Sequence, residues 1–188
     1  MWLETLCALL LAAPQSATDG RATQPLIEGR AIRGAIKSSE RTIDDRVQQM
    51  TGRAPFVLLG TTRGAYLAGY GAVFTLELNL VPRANLSPFR PPYTPQEIKD
   101  LNREKRDKLG VLRTGFRQLL VDQGAGLGPV PASEKVAIVV TLFNYNWEDT
   151  TGLPSQVIFQ AARQSLVDLQ ARRGQPDALD RAIEVKEF

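Results

Sequence analysis

The chain has 188 residues, 43% hydrophobic and 23% charged, and a formal net charge of +3 from 23 basic and 20 acidic side chains. That balance belongs to one globular domain, not to a disordered chain or a multispanning membrane protein. Histidine is absent, which excludes Ser/His/Asp and Cys/His nucleophilic centres, histidine-held zinc and the HExxH metalloprotease arrangement.

Residues 1–17 read as a secretory signal peptide. The apolar run from Leu6 to Ala13 has the length of a signal h-region, too short for a bilayer span, and the small residues around Ala17 supply a cleavage site. A periplasmic or secreted location is therefore expected, without a permanent membrane span. Glu4 stands where such a segment usually carries a basic residue. The single cysteine, Cys7, lies inside this run, so no disulfide is available to the rest of the chain. Residues 18–36 lack sustained periodicity and are expected to form a flexible leader. Residues 37–188 then make a single domain.

Within that domain Ile36, Ile43, Val47 and Met50 recur at helical spacing and predict a short helix stopped near Gly52. Three β-rich runs follow, at 55–59, 65–67 and 72–81, separated by glycine-containing turns. In the last, Phe74, Leu76, Leu78 and Leu80 alternate with Val73, Thr75, Glu77 and Asn79, which predicts a half-buried antiparallel strand. A proline-rich connection covers 82–95. Thr94-Pro95-Gln96-Glu97 has the form of a capping box, and Ile98, Leu101, Leu109, Leu112, Phe116 and Leu119 mark one face of the helix it starts. The mixed-charge run from Glu97 to Lys108 is expected to be solvated. Val136 to Phe143 is nearly all apolar and predicts a central strand covered on both faces. After Pro154, apolar positions from Val157 to Leu169 predict a second helix reaching Arg173, and 182–188 a terminal strand. The fold class expected is α+β, or mixed α/β, with an antiparallel-rich sheet packed by two or three helices.

Gly69-Tyr70-Gly71, inside the run Tyr66 to Phe74, is the most distinctive stretch. Flanking glycines suit either a tight turn with positive φ or a close approach of backbone to a ligand. With the alternating strand, helix, core strand and helix that follow, this stretch resembles uncharacterised exported bacterial proteins that share a GYG-aromatic strand. The resemblance spans about 55–173 and implies export and a folded domain; it implies no activity.

Candidate binding residues are Asn144, Tyr145, Asn146 and Trp147, in a polar-aromatic loop just after the predicted core strand, together with Tyr70. No dense basic run follows a phosphate backbone, so no nucleic-acid partner is expected. Neither a cofactor nor a metal site is expected. The composition favours a non-enzymatic exported protein that binds a partner or a component of the bacterial envelope. The alternative is a carboxylate-dependent hydrolase of glycans, drawing its acid and base from Glu77, Glu134, Glu148 and Asp149.

Overall fold

In the computed structural model, residues 20–50, 52, 56–83, 92–172 and 176–188 are described, with side chains from 28 in the first segment and from 178 in the last. The predicted signal peptide and the middle of the proline-rich connection lie outside these residues. The elements are α1 (Gly20–Gln49), β1 (Val57–Leu58), β2 (Arg63–Leu67), β3 (Gly71–Asn79), α2 (Pro95–Gly126), β4 (Lys135–Leu142), β5 (Gln156–Ala162), α3 (Arg163–Ala171), α4 (Pro176–Ala182) and β6 (Glu184–Glu187).

The alternating run becomes β3, the pivot of a six-stranded mixed sheet. On one side β3 pairs antiparallel with β2 and, further along, with β1; on the other it pairs parallel with β4. A parallel neighbour needs a crossover, and α2 supplies it. Antiparallel β5 and β6 complete the sheet. The architecture is thus a single α+β domain.

One face of the sheet carries the core. Phe74, Leu76 and Leu78 of β3, Val136, Ile138 and Val140 of β4, and Val157 and Phe159 of β5 are all buried on it. Each such side chain contributes about 1.5–3 kcal/mol by leaving water. Phe116 of α2 stacks on Phe159 with ring centroids 5.6 Å apart. A Cβ on Gly64 would meet Ile36 of α1 at 2.3 Å and Phe74 at 2.9 Å, so α1 lies on this same face.

Among the described residues, nothing covers the opposite face as the apolar run 136–143 predicts. On β4 only Ala137 is buried there, while Val139 is half-buried and Thr141 exposed. A register row crosses this face from Arg63 through Thr75, Val139 and Ile158 to Lys186.

Helix α4 lies where no element is expected and brings the helices to four, and two other elements differ from expectation. The segment 20–36, predicted as a flexible leader, is helical from Gly20 onward. Ile32, Ile36, Ser39, Ile43 and Val47 form one buried stripe at helical spacing, and the burial of Ile32 carries the helix beyond its predicted start. The first part of the predicted second helix is instead β5, followed at once by α3. Val157, Phe159 and Ala161 alternate inward, and the ladder to β4 satisfies their backbone.

The capping box forms as predicted. The Thr94 hydroxyl accepts from the Glu97 amide at 3.3 Å, and the Glu97 carboxylate accepts from the Thr94 amide at 2.7 Å. The helix then runs unbroken through Gly110 and Gly115 to Gly126. Among the described residues no helix is long and apolar enough to cross a membrane.

Candidate functional site

The loop from Asn144 to Asp149 leaves β4 at its C-terminal end, where Phe143 still donates its amide to the Leu78 carbonyl at 2.8 Å. Its aromatic residues form a row. Phe143 meets Tyr145 edge to face at 4.9 Å, Tyr145 stacks on Trp147 at 5.6 Å, and Trp147 stacks on Tyr93 at 4.2 Å. All four rings are half-buried. Stacking on one another covers part of the ring faces of Tyr145, Trp147 and Tyr93.

Two residues of α2 hold this loop in place, and neither is in the solvated environment that the charged run predicts. Lys105 has a side chain 1% exposed and forms an ion pair with the equally buried Glu148. Its ammonium also donates to Asn144 Oδ1 at 2.8 Å and to the Phe143 carbonyl at 3.4 Å, so all three donors are used. Asn102 donates to the carbonyls of Asp149 and Thr151 at 2.8 and 3.1 Å. Asp149 in turn accepts the Thr151 amide at 2.9 Å. The hydrogen bonds from Thr151 hold the Asp149 carboxyl below its ordinary range, with Arg106 and Lys99 adding to the effect.

Tyr70 belongs to the other end of the sheet. The Leu67–Tyr70 turn closes with Tyr70 N–H on the Leu67 carbonyl at 2.9 Å, and the Tyr70 carbonyl accepts the Lys135 amide at 2.7 Å. Lys135 begins β4 and Asn144 follows its end, so the strand's rise separates Tyr70 from the loop by roughly 25 Å. The Tyr70 hydroxyl donates to Gln160 Oε1 at 2.8 Å, and Gln160 Nε2 donates to Glu184 at 2.6 Å. This relay links the β2–β3 turn to β5 and β6.

The glycines around Tyr70 serve the turn. Gly69 has φ 81°, the positive value a type II turn needs at that position, and Gly71 has φ 130°. A Cβ on Gly71 would lie 1.9 Å from the Lys135 carbonyl oxygen. The close approach is to the chain's own backbone.

The four candidate carboxylates do not form one group. Glu134 lies at the start of β4, where Oε1 accepts from the Tyr66 hydroxyl and the Gly69 amide, both at 3.1 Å. That carboxylate raises the Tyr66 pKa above its ordinary value, and Glu28 adds to the effect. Glu77 points from β3 onto the uncovered face, whereas Glu148 turns toward α2 on the covered side. Among the described residues no three Asp or Glu side chains gather closely enough to hold a metal ion.

Sequence reasoning missed Lys105 and Asn102. The signal was available, because Lys105 lies four residues after Leu101 and four before Leu109, inside the apolar stripe of α2. No protein-family model matches the chain, and no curated protein or solved structure is significantly similar to it.

Proposed function

We propose that this is a non-enzymatic binding protein, exported to the bacterial envelope, that holds a partner protein against the uncovered face of its sheet. The register row across that face carries the reading. Its centre, Val139 and Ile158, is apolar and half-buried; its ends, Arg63 and Lys186, are basic and exposed. Adjacent strands lie about 4.8 Å apart, so five positions span roughly 19 Å, wide enough for the core of a protein contact. The aromatic row begins at Phe143, directly after the end of β4. Export rests on the signal-like character of residues 6–17.

The test is a photo-cross-linking side chain in place of Thr75, beside Val139 in the row, with one in place of the exposed Val111 on α2 as control. Irradiation of native cells is expected to give one discrete adduct from position 75, none from position 111, and none from position 75 when Val139→Lys and Ile158→Lys are present. Equal adducts from both positions, or none from position 75, overturn the reading. Intact mass after cell fractionation tests export: a mature species beginning near Thr18 outside the cytoplasm supports it, and a full-length cytoplasmic species refutes it.

A further inference from the structure

Strand β2 forms an edge of the sheet beside α1, and the outward amides of Thr62, just before it, and of its own alternate residues form a series. Thr62 donates its amide to Asp44 Oδ1 at 2.9 Å, and Gly64 donates to Glu40 Oε1 at 2.7 Å. Four residues of helix rise about 6 Å and two residues of strand about 6.6 Å. Carboxylates four apart on α1 therefore match amides two apart on β2, with the helix running antiparallel to the strand. Each carboxylate stands in for the carbonyl of a missing neighbour strand.

The next step of the series pairs Tyr66 with helix position 36, and that position is isoleucine. By strand alternation the Tyr66 N–H and C=O point outward like those of Thr62 and Gly64, and neither has a partner among the described residues. Here α1 and β2 part to leave a groove of about 610 Å³. Buried Ile32 and Ile36 and the Tyr66 ring line it, with Arg33 on its helix side and Glu28 farther toward the N-terminus of α1. Arg33 is exposed and has no ion-pair partner among the described residues.

We propose that this groove binds an extended acidic segment of a partner protein, which adds as a strand along β2. The segment's backbone pairs with Tyr66, an apolar side chain packs on Ile32 and Ile36, and a carboxylate meets Arg33. Main-chain pairing at a free edge supplies affinity, and the flanking side chains supply selectivity. Along α1 the carboxylates of Glu40 and Asp44 close the edge themselves, Arg33 stands beside the open stretch, and Glu28 lies at its far end toward the Tyr66 hydroxyl, so the place for the segment's carboxylate is opposite Arg33.

A random-peptide library panned on the full chain tests it. Enriched peptides are expected to combine alternating apolar residues with an aspartate or glutamate. A synthetic copy is expected to slow hydrogen exchange at the Tyr66 amide, and to bind Arg33→Glu about tenfold more weakly, the worth of one charge-assisted hydrogen bond. Arg33 is exposed, so this substitution leaves the core intact; circular dichroism checks that. Lack of enrichment, enrichment without an acidic residue, unchanged binding to Arg33→Glu, or binding that leaves Tyr66 unprotected each overturns the proposal.

Discussion

Lys105 illustrates what a buried charge demands. Its ammonium is fully satisfied by Glu148, Asn144 and the Phe143 carbonyl, whereas Glu148 Oε1 is buried with no hydrogen-bond partner among the described residues. Removing one member of such a pair strands the other charge, so Lys105→Met is expected to cost about 3–5 kcal/mol. Adding Glu148→Leu removes the stranded carboxylate and is expected to recover most of that loss. Urea unfolding decides; a double variant as unstable as the single one refutes the account. Tyr66 gives a second prediction. Its raised pKa means that the fold favours the neutral phenol, so the stabilisation is complete below the ordinary value of 10.0 and fades as pH rises through the raised one. Ultraviolet titration of Glu134→Gln is expected to return Tyr66 toward 10.0. At this scale the sequence was legible where polar residues follow local rules, as in the Thr94 to Glu97 box. It was less legible for Lys105, whose partner lies beyond an intervening strand.

Among the elements, β3 and α2 could be read from periodicity because each keeps one pattern over its whole length. The stretch 156–171 was misread because β5 passes into α3 with neither glycine nor proline between them. Ala162 at the junction gives no side-chain cap to mark the boundary. Val157, Ile158, Ala161, Leu166 and Leu169 then imitate a single helical stripe, although Phe159 breaks it. In α1 the opposite occurred: Gly20, Gly29 and Gly34 concealed a stripe running back to Ile32. The Gly69-Tyr70-Gly71 turn shows which glycines matter to an element. Gly71 combines positive φ with backbone contact to β4, so Gly71→Ala is expected to cost about 2–4 kcal/mol by disrupting the β3–β4 junction. Gly110, within α2, has open space around its missing Cβ. Gly110→Ala is expected to gain about 0.5–1 kcal/mol. Thermal unfolding of the two variants should move in opposite directions; a shift of the same sign in both refutes this assignment.

For the molecule as a whole, the sheet has two edges that the fold must keep from pairing with other chains. At β6 the chain places Glu184, Lys186 and Glu187 in a strand of four residues, a short and charged edge. At β2 it uses α1, whose Asp44 and Glu40 occupy the amides of Thr62 and Gly64. A residue pattern on β2 alone cannot reveal this protection, because the acceptors lie about twenty positions away on an element of different periodicity. Replacing both carboxylates, Glu40→Ala with Asp44→Ala, leaves the buried stripe of α1 unchanged but frees two adjacent outward amides. Together with the outward backbone amide of Tyr66, which has no partner among the described residues, they form a continuous edge of three alternate positions. Strand pairing between copies then becomes the cheapest way to satisfy them, since an unsatisfied, partly buried amide costs about 1–3 kcal/mol. The double variant is expected to self-associate with rising concentration, as read by sedimentation velocity, and to show Thr62 and Gly64 amides protected from exchange in the associated form. If it remains monomeric at concentrations where the parent chain is also monomeric, the carboxylates serve only to anchor the helix, and edge protection at β2 must come from the bulk of α1.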